Sequence, residues 1–99
     1  MNAPSINLVG IQKQDSYLAG SDIHLKCFQD SFPTADRYIW FNDDVSVYRS
    51  TSPDLYLHNM EYSKSGDYRC MTANAYYTNT SKSMEVSIWG MFPLYIYPN

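Results

Sequence analysis

Clustered positive charge is missing from this chain of 99 residues. Its seven lysines and arginines stand singly against ten aspartates and glutamates, for a net charge of −3. Phosphate backbones therefore find no basic stripe, and nucleic acid is not an expected partner. Glycine is scarce: the four present are isolated and make no phosphate-binding loop. Histidine occurs twice, as His24 and His58, neither beside a serine or cysteine in a nucleophile motif. No catalytic residues, cofactor or metal are expected. Asp43 and Asp44 read as turn residues, since calcium needs a denser set of oxygen ligands. No apolar run is long enough to cross a membrane, and no signal peptide is visible. Membrane attachment would come only through segments outside this stretch.

Helical periodicity is also lacking. Period-2 patterns recur instead, rich in Val, Ile, Thr, Tyr, Phe and Trp, with Gly, Pro, Asn, Asp and Ser between them. The chain opens on an edge strand at Ile6 and Leu8, interrupted near Gly10. Ile23, Leu25 and Cys27 alternate with Asp22, His24 and Lys26, the clearest half-buried strand. A loop from Asp30 to Asp36 follows. Tyr38 and Trp40 share a face, Val45 to Tyr48 returns, and Arg49 to Pro53 is expected as a loop. Leu55 and Leu57 oppose Tyr56 and His58. After the turn at Ser63 to Gly66, Tyr68, Cys70 and Thr72 share a face. Asn74 to Ser81 is expected as a polar loop. Met84, Val86 and Ile88 point inward along the last strand.

Two cysteines stand 43 positions apart, a spacing that suits neither a zinc motif nor a redox pair. A bridge closing such a loop would stabilise the chain by about 4 kcal/mol in the chain-entropy description. A chain this short hides only about 60–70% of its unfolded surface, so that is a large share of net stability. A stable bridge implies an oxidising, extracellular or secretory location.

Cys27 and Cys70 both fall on inward faces. Trp40 lies inward on the strand between them, and Tyr68 precedes Cys70 by two positions. This arrangement resembles the pin of immunoglobulin-type sandwiches: an inter-sheet bridge, a packed indole and a tyrosine corner. Two unrelated thiols in another β fold would leave these matched features unexplained. The expected fold is all-β, an immunoglobulin-like sandwich of about seven antiparallel strands with one inter-sheet disulfide. Its core should include Trp40, Tyr68, Leu25 and Leu57. The stretch from Trp40 to Cys70 is too short for the extra hairpin of a variable-type domain. Residues 1–4 read as a linker and 5–90 as the domain. Residues 91–99 read as a linker or the start of a following domain.

The runs Ile23-His24-Leu25-Lys26-Cys27, Trp40-Phe41-Asn42-Asp43, Ser52-Pro53-Asp54-Leu55-Tyr56-Leu57 and Ser65-Gly66-Asp67-Tyr68-Arg69-Cys70 are similar to the extracellular domains of the Fc gamma, Fc epsilon and Fc-receptor-like leukocyte receptors. The resemblance implies a single-pass cell-surface immune receptor with tandem domains and a protein ligand, immunoglobulin Fc being the specific candidate. In the family, Fc is gripped through three regions, matched here by Phe28 to Arg37, Val45 to Ser52 and Asn74 to Thr80. The candidate contact residues in them are Phe32, Arg37, Tyr48, Arg49, Tyr76 and Tyr77. The tryptophan with which Fc gamma receptors clasp a proline of Fc has no counterpart; Phe28 and Phe32 are the nearest aromatics. The other function class is an adhesion or structural module in a multi-domain array. A fragment of an enzyme is a third class, which the absence of catalytic groups disfavours.

Two further features stand out. Asn79-Thr80-Ser81 is the one N-glycosylation sequon, and its expected place in a loop of a secreted domain makes Asn79 the candidate glycosylation site. The stretch from Gly90 to Asn99 has six large apolar or aromatic residues among its ten. It reads as a junction to a neighbouring domain of the same chain, or as a peptide folding back on its own sandwich.

Overall fold

A computed structural model of the chain describes residues 3–29 and 35–90. Strand runs follow one another as β1 (Ser5–Leu8), β2 (Tyr17–Leu18), β3 (Ile23–Phe28), β4 (Arg37–Asn42), β5 (Val45–Ser50), β6 (Asp54–Leu57), β7 (Gly66–Ala73), β8 (Thr78–Thr80), β9 (Met84–Val86) and β10 (Ile88–Trp89), with one 3₁₀ turn at Tyr62–Lys64. β1, β3 and β6 form an antiparallel sheet with β3 central. A second antiparallel sheet runs β5-β4-β7-β8, and β9 also pairs with β7. β10 runs parallel to β2.

These short runs are pieces of about seven strands, as expected. β1 and β2 are two halves of the first strand, parted at Gly10, where φ is +85°. β8, β9 and β10 are successive pieces of the last. The break after β8 is held by Ser81. Its backbone N–H donates to Cys70 O, its hydroxyl accepts from Cys70 N–H at 3.0 Å, and the same hydroxyl donates to Lys82 O at 2.8 Å. Between Trp40 and Cys70 the chain spends one strand on each sheet, β5 then β6, with no further hairpin.

The core lies between the sheets where the alternation placed it. Ile23, Leu25 and Cys27 are buried on β3, and Tyr68, Cys70 and Thr72 on β7. Cys27 and Cys70 are bonded, with Cα atoms 6.2 Å apart. Trp40 is 0% exposed and sits beside Cys70 in the β4–β7 register. The Tyr68 hydroxyl donates to Lys64 O at 2.6 Å, which closes the corner before β7. Burial pushes this phenol above its ordinary range; a hydrogen bond with Asn42 pulls back and the Asp43 charge adds to the rise. Leu57 is half-buried and packs against the cluster from its rim.

Two further residues join the core beyond those expected there. Met60, in the polar stretch after β6, is 0% exposed. Its carbonyl accepts from Gly20 N–H at 2.7 Å and its N–H donates to Ser21 O at 2.9 Å, so it plugs the sandwich end beneath the turn after β2. Tyr17 is also buried, and its hydroxyl accepts from Gln14 N–H at 3.0 Å.

Gly66 opens β7 with φ at +152°, and a Cβ there would overlap the Asn42 side-chain amide. That amide donates to Lys64 O and Ser65 O, both at 3.3 Å, and so braces the same corner. Gly66→Ala should therefore destabilise the domain by about 1–3 kcal/mol. Denaturant unfolding measures this. Adding Asn42→Ala should recover part of the loss by removing the overlap while the backbone strain remains.

Candidate protein-recognition face

The pin fixes which side chains face solvent. With Trp40 and Cys70 inward, alternation turns Ile39 and Phe41 of β4 and Arg69 and Met71 of β7 to the outer side of the second sheet. The register sets Arg49 of β5 beside Ile39, Met71 on the other flank of Ile39, and Thr80 of β8 beyond it. The result is a half-buried apolar centre of Ile39, Phe41 and Met71 in a polar frame.

Two of the three arginines here are tied to neighbours. Arg69 Nη1 meets Asp44 Oδ1 at 3.1 Å, and Arg37 Nε meets Asp36 Oδ1 at 3.2 Å. Both pairs are exposed, so each contributes roughly 0–1 kcal/mol. Arg49 has no ion-pair partner among the described residues. Arg37, Tyr38, Ile39, Arg49, Ser50 and Thr51 line one shallow cleft of about 340 Å³. The cleft holds guanidinium groups beside an apolar side chain, a combination suited to a protein surface bearing a carboxylate.

The hairpin between β7 and β8 closes the same end of the sheet. Asn74 shapes it: its Oδ1 accepts from Tyr76 N–H at 2.8 Å and Tyr77 N–H at 3.1 Å, an Asx-type turn. This holds Tyr76 84% exposed. Tyr77 turns back, and its hydroxyl donates to Gln29 Oε1 at 3.3 Å beyond the end of β3. Burial raises the Tyr38 phenol above its ordinary range, with Tyr77 and Asp36 adding to the rise. One of the adjacent tyrosines thus presents its ring to solvent while the other braces the loop.

Two sequence expectations need correction. Arg49 and Ser50 belong to strand β5 and not to a loop. Once they do, parity separates Tyr48 from Arg49. Tyr48 pairs with Trp40 and lines a different cleft with Val47, Leu55, Leu57 and His58. Asn79 lies in β8 and not in a loop. It pairs with the inward-facing Thr72, and its Nδ2 is shielded with no hydrogen-bond partner among the described residues. Phe32, with most of the loop around it, lies outside the described residues, as do residues 91–99. Phe28 ends β3 and is 50% exposed.

The outer side of the other sheet carries different chemistry. His24 Nε2 lies 2.7 Å from Asp54 Oδ1. The His24 ring stacks on Tyr56 at 4.2 Å, and Tyr56 on His58 at 6.3 Å. His58 Nδ1 stands 3.8 Å from Asp22, whose carboxylate accepts from Asn59 N–H at 2.8 Å. The hydrogen bond with His24 holds the Asp54 carboxyl below its ordinary range against partial desolvation, with help from Ser52 and Lys26. No group of three or more metal-ligating side chains occurs among the described residues.

The immunoglobulin domain family description matches residues 4–88. Comparison with curated protein sequences returned no match. Among solved structures, the second Ig-C2 domain of human Fc-receptor like A, isoform 9, superposes with a TM-score of 0.73 at 21% identity, covering 91% of this chain and 100% of that one. Murine CEACAM1b superposes at 0.71 and 15% identity, covering 89% of this chain and 45% of that one. Sidekick-1 immunoglobulin domains 1-5 superpose at 0.66 and 16% identity, covering 89% of this chain and 19% of that one. The chain thus spans less than half of the CEACAM1b and Sidekick-1 chains.

The lowered Asp54 carboxyl gives stability that is fully present above the unfolded aspartate value of about 3.9 and lost as pH falls through the folded value. Asp54→Asn should therefore lower Tm at neutral pH and converge with the parent chain in strong acid, as read by melting curves across pH. The inward Asn79 leads to a second expectation. Protein secreted from eukaryotic cells should keep its mass on glycosidase treatment; a mass loss would show Asn79 turned out of the sandwich.

Proposed function

Because the chain belongs to the immunoglobulin domain family, we propose that it is an extracellular recognition domain of a cell-surface immune receptor of the Fc-receptor-like kind. It holds a protein ligand on the outer side of the β5-β4-β7-β8 sheet, and membrane attachment is supplied by segments outside this sequence. The carrying observation is the cleft in which Arg37 and Arg49 flank Ile39, with the exposed Tyr76 ring at the same sheet end. Arginine and tyrosine dominate the energetics of protein interfaces, because each supplies a large contact area with a polar tip. The Cys27–Cys70 bridge supports an oxidising, extracellular setting. Fold likeness to a domain of human Fc-receptor like A supports the receptor reading, and immunoglobulin Fc is the specific ligand proposed.

A second reading is a link in a multi-domain array, with the same face meeting another copy of the chain. Likeness to a five-domain stretch of Sidekick-1 favours it, since that chain strings such units together.

Surface-immobilised Fc and sedimentation velocity separate the two. The receptor reading expects saturable Fc binding by the parent chain. Arg49→Ala and Tyr76→Ala should each weaken it by about tenfold, the effect of losing a well-packed contact residue. Absence of Fc binding removes Fc as the ligand. Concentration-dependent dimers abolished by Arg49→Ala would establish the second reading. Unchanged affinity in both variants would remove this face from the account.

A further inference from the structure

An apolar surface that the recognition face does not use lies where the described chain ends. β10 pairs in parallel with β2, Ile88 beside Tyr17 and Trp89 beside Leu18. Ile88 and Tyr17 are buried, at 1% and 5% exposure. Alternation therefore turns Trp89 and Leu18 to the opposite side, where each is 56% exposed. Single exposed apolar residues are ordinary on a protein surface, but a tryptophan and a leucine adjacent in one ladder make a continuous patch. The backbone beneath is fixed: Tyr17 N–H donates to Ser87 O at 2.8 Å, and Ala19 N–H to Trp89 O at 2.9 Å. The backbone that carries the patch is thus held in place before anything covers it.

We propose that this patch is the seat of the segment that continues the same chain, residues 91–99. Three observations select that occupant. The described chain ends beside the patch at Gly90, where φ is +90° and the space a Cβ would take is open, with no described atom beyond the chain neighbours within 4 Å. A left-handed glycine there redirects the chain without steric penalty. Next, the sequence past it runs Met91, Phe92, Pro93, Leu94, Tyr95, Ile96, Tyr97, Pro98, Asn99, with no charged side chain and six large apolar or aromatic ones. Such a segment suits a patch made of an indole and a leucine side chain. Last, a stable dimer needs roughly 800 Å² from each partner, more than two side chains provide. A tethered segment faces no such threshold, since attachment holds it at millimolar effective concentration or above. The proposal is independent of the recognition face, because none of the residues argued for there takes part.

The indole N–H signals of Trp89 and Trp40 test this in the full chain by NMR with a soluble paramagnetic agent. Trp40 is buried and reports that the sandwich is intact. The seat predicts that Trp89 is shielded in the parent chain. Residues 91–99 should then give heteronuclear NOE values like those of the strands. The double variant Phe92→Ser, Ile96→Ser should raise relaxation of the Trp89 signal several-fold and leave Trp40 unmoved. Leu18→Lys should release the segment from the other side and lower the NOE of 91–99. Equal bleaching of Trp89 in parent and variants, or low NOE values for 91–99 in the parent, overturns the proposal. Shielding that appears only as concentration rises assigns the patch to a second copy and overturns it as well.

Discussion

The covalent tie between Cys27 and Cys70, with Trp40 beside Cys70 in the ladder, is the constraint on which the remaining geometry rests. It joins the central strand of each sheet, β3 and β7. Side chains alternate along a strand, so fixing one residue inward fixes the side of every other. Cys70 and Trp40 inward make Ile39, Phe41, Arg69 and Met71 outward. Cys27 inward makes His24 and Lys26 outward. A slip of one position would bury the arginines and expose the indole, so the pin selects a single register. The chemistry of each outer surface is therefore a consequence of the pin, although no pin residue reaches solvent.

Much of this was legible in the sequence, for a physical reason. β3 and β7 are half-buried central strands, and half-burial writes a period of two into the residues. β5 is an edge strand with five of six residues exposed. Nothing buries one of its faces, so no alternation marks where it ends, and Arg49 reads as loop. Its strand state comes from pairing with β4, a tertiary cause. The same holds for β8, where Thr78, Asn79 and Thr80 look like a polar loop until pairing with β7 makes them a strand. The sequon then turns inward beside Thr72. Met60 was hidden because its burial comes from closing the sandwich end, which leaves no periodic trace. For the candidate site, Arg37, Arg49 and Tyr76 were legible as residue types in matched loops, but their convergence around Ile39 needed the register.

The two outer surfaces differ in how they are held. On the β1-β3-β6 side the polar groups satisfy one another: His24 with Asp54, Asp54 with Ser52, Asp22 with Asn59. A surface whose donors and acceptors are already paired offers a ligand little, since docking must break those bonds or leave them unmade. On the other side Arg49 is uncommitted among the described residues, and Arg37 and Arg69 are held only by exposed single contacts. Those contacts cost little to exchange. The difference in internal satisfaction, more than any difference in shape, favours the β5-β4-β7-β8 side for recognition.

Charge balance then says how that recognition would work. The chain carries −3 overall, and two arginines of the face, Arg37 and Arg69, stand against Asp36 and Asp44. Beyond a Debye length of about 8 Å these opposite charges largely cancel, so the face cannot draw an acidic partner from afar. At contact the geometry differs. A guanidinium bonds a carboxylate bidentately within hydrogen-bond distance, where an aspartate on its far side competes weakly. Ile39 and Met71 would meanwhile exclude water from that bond and strengthen it. Binding on this face should accordingly be governed by dissociation and depend only mildly on salt. That behaviour would suit the proposed receptor, in which neighbouring domains of the same chain hold this one near its partner and the face supplies discrimination at contact.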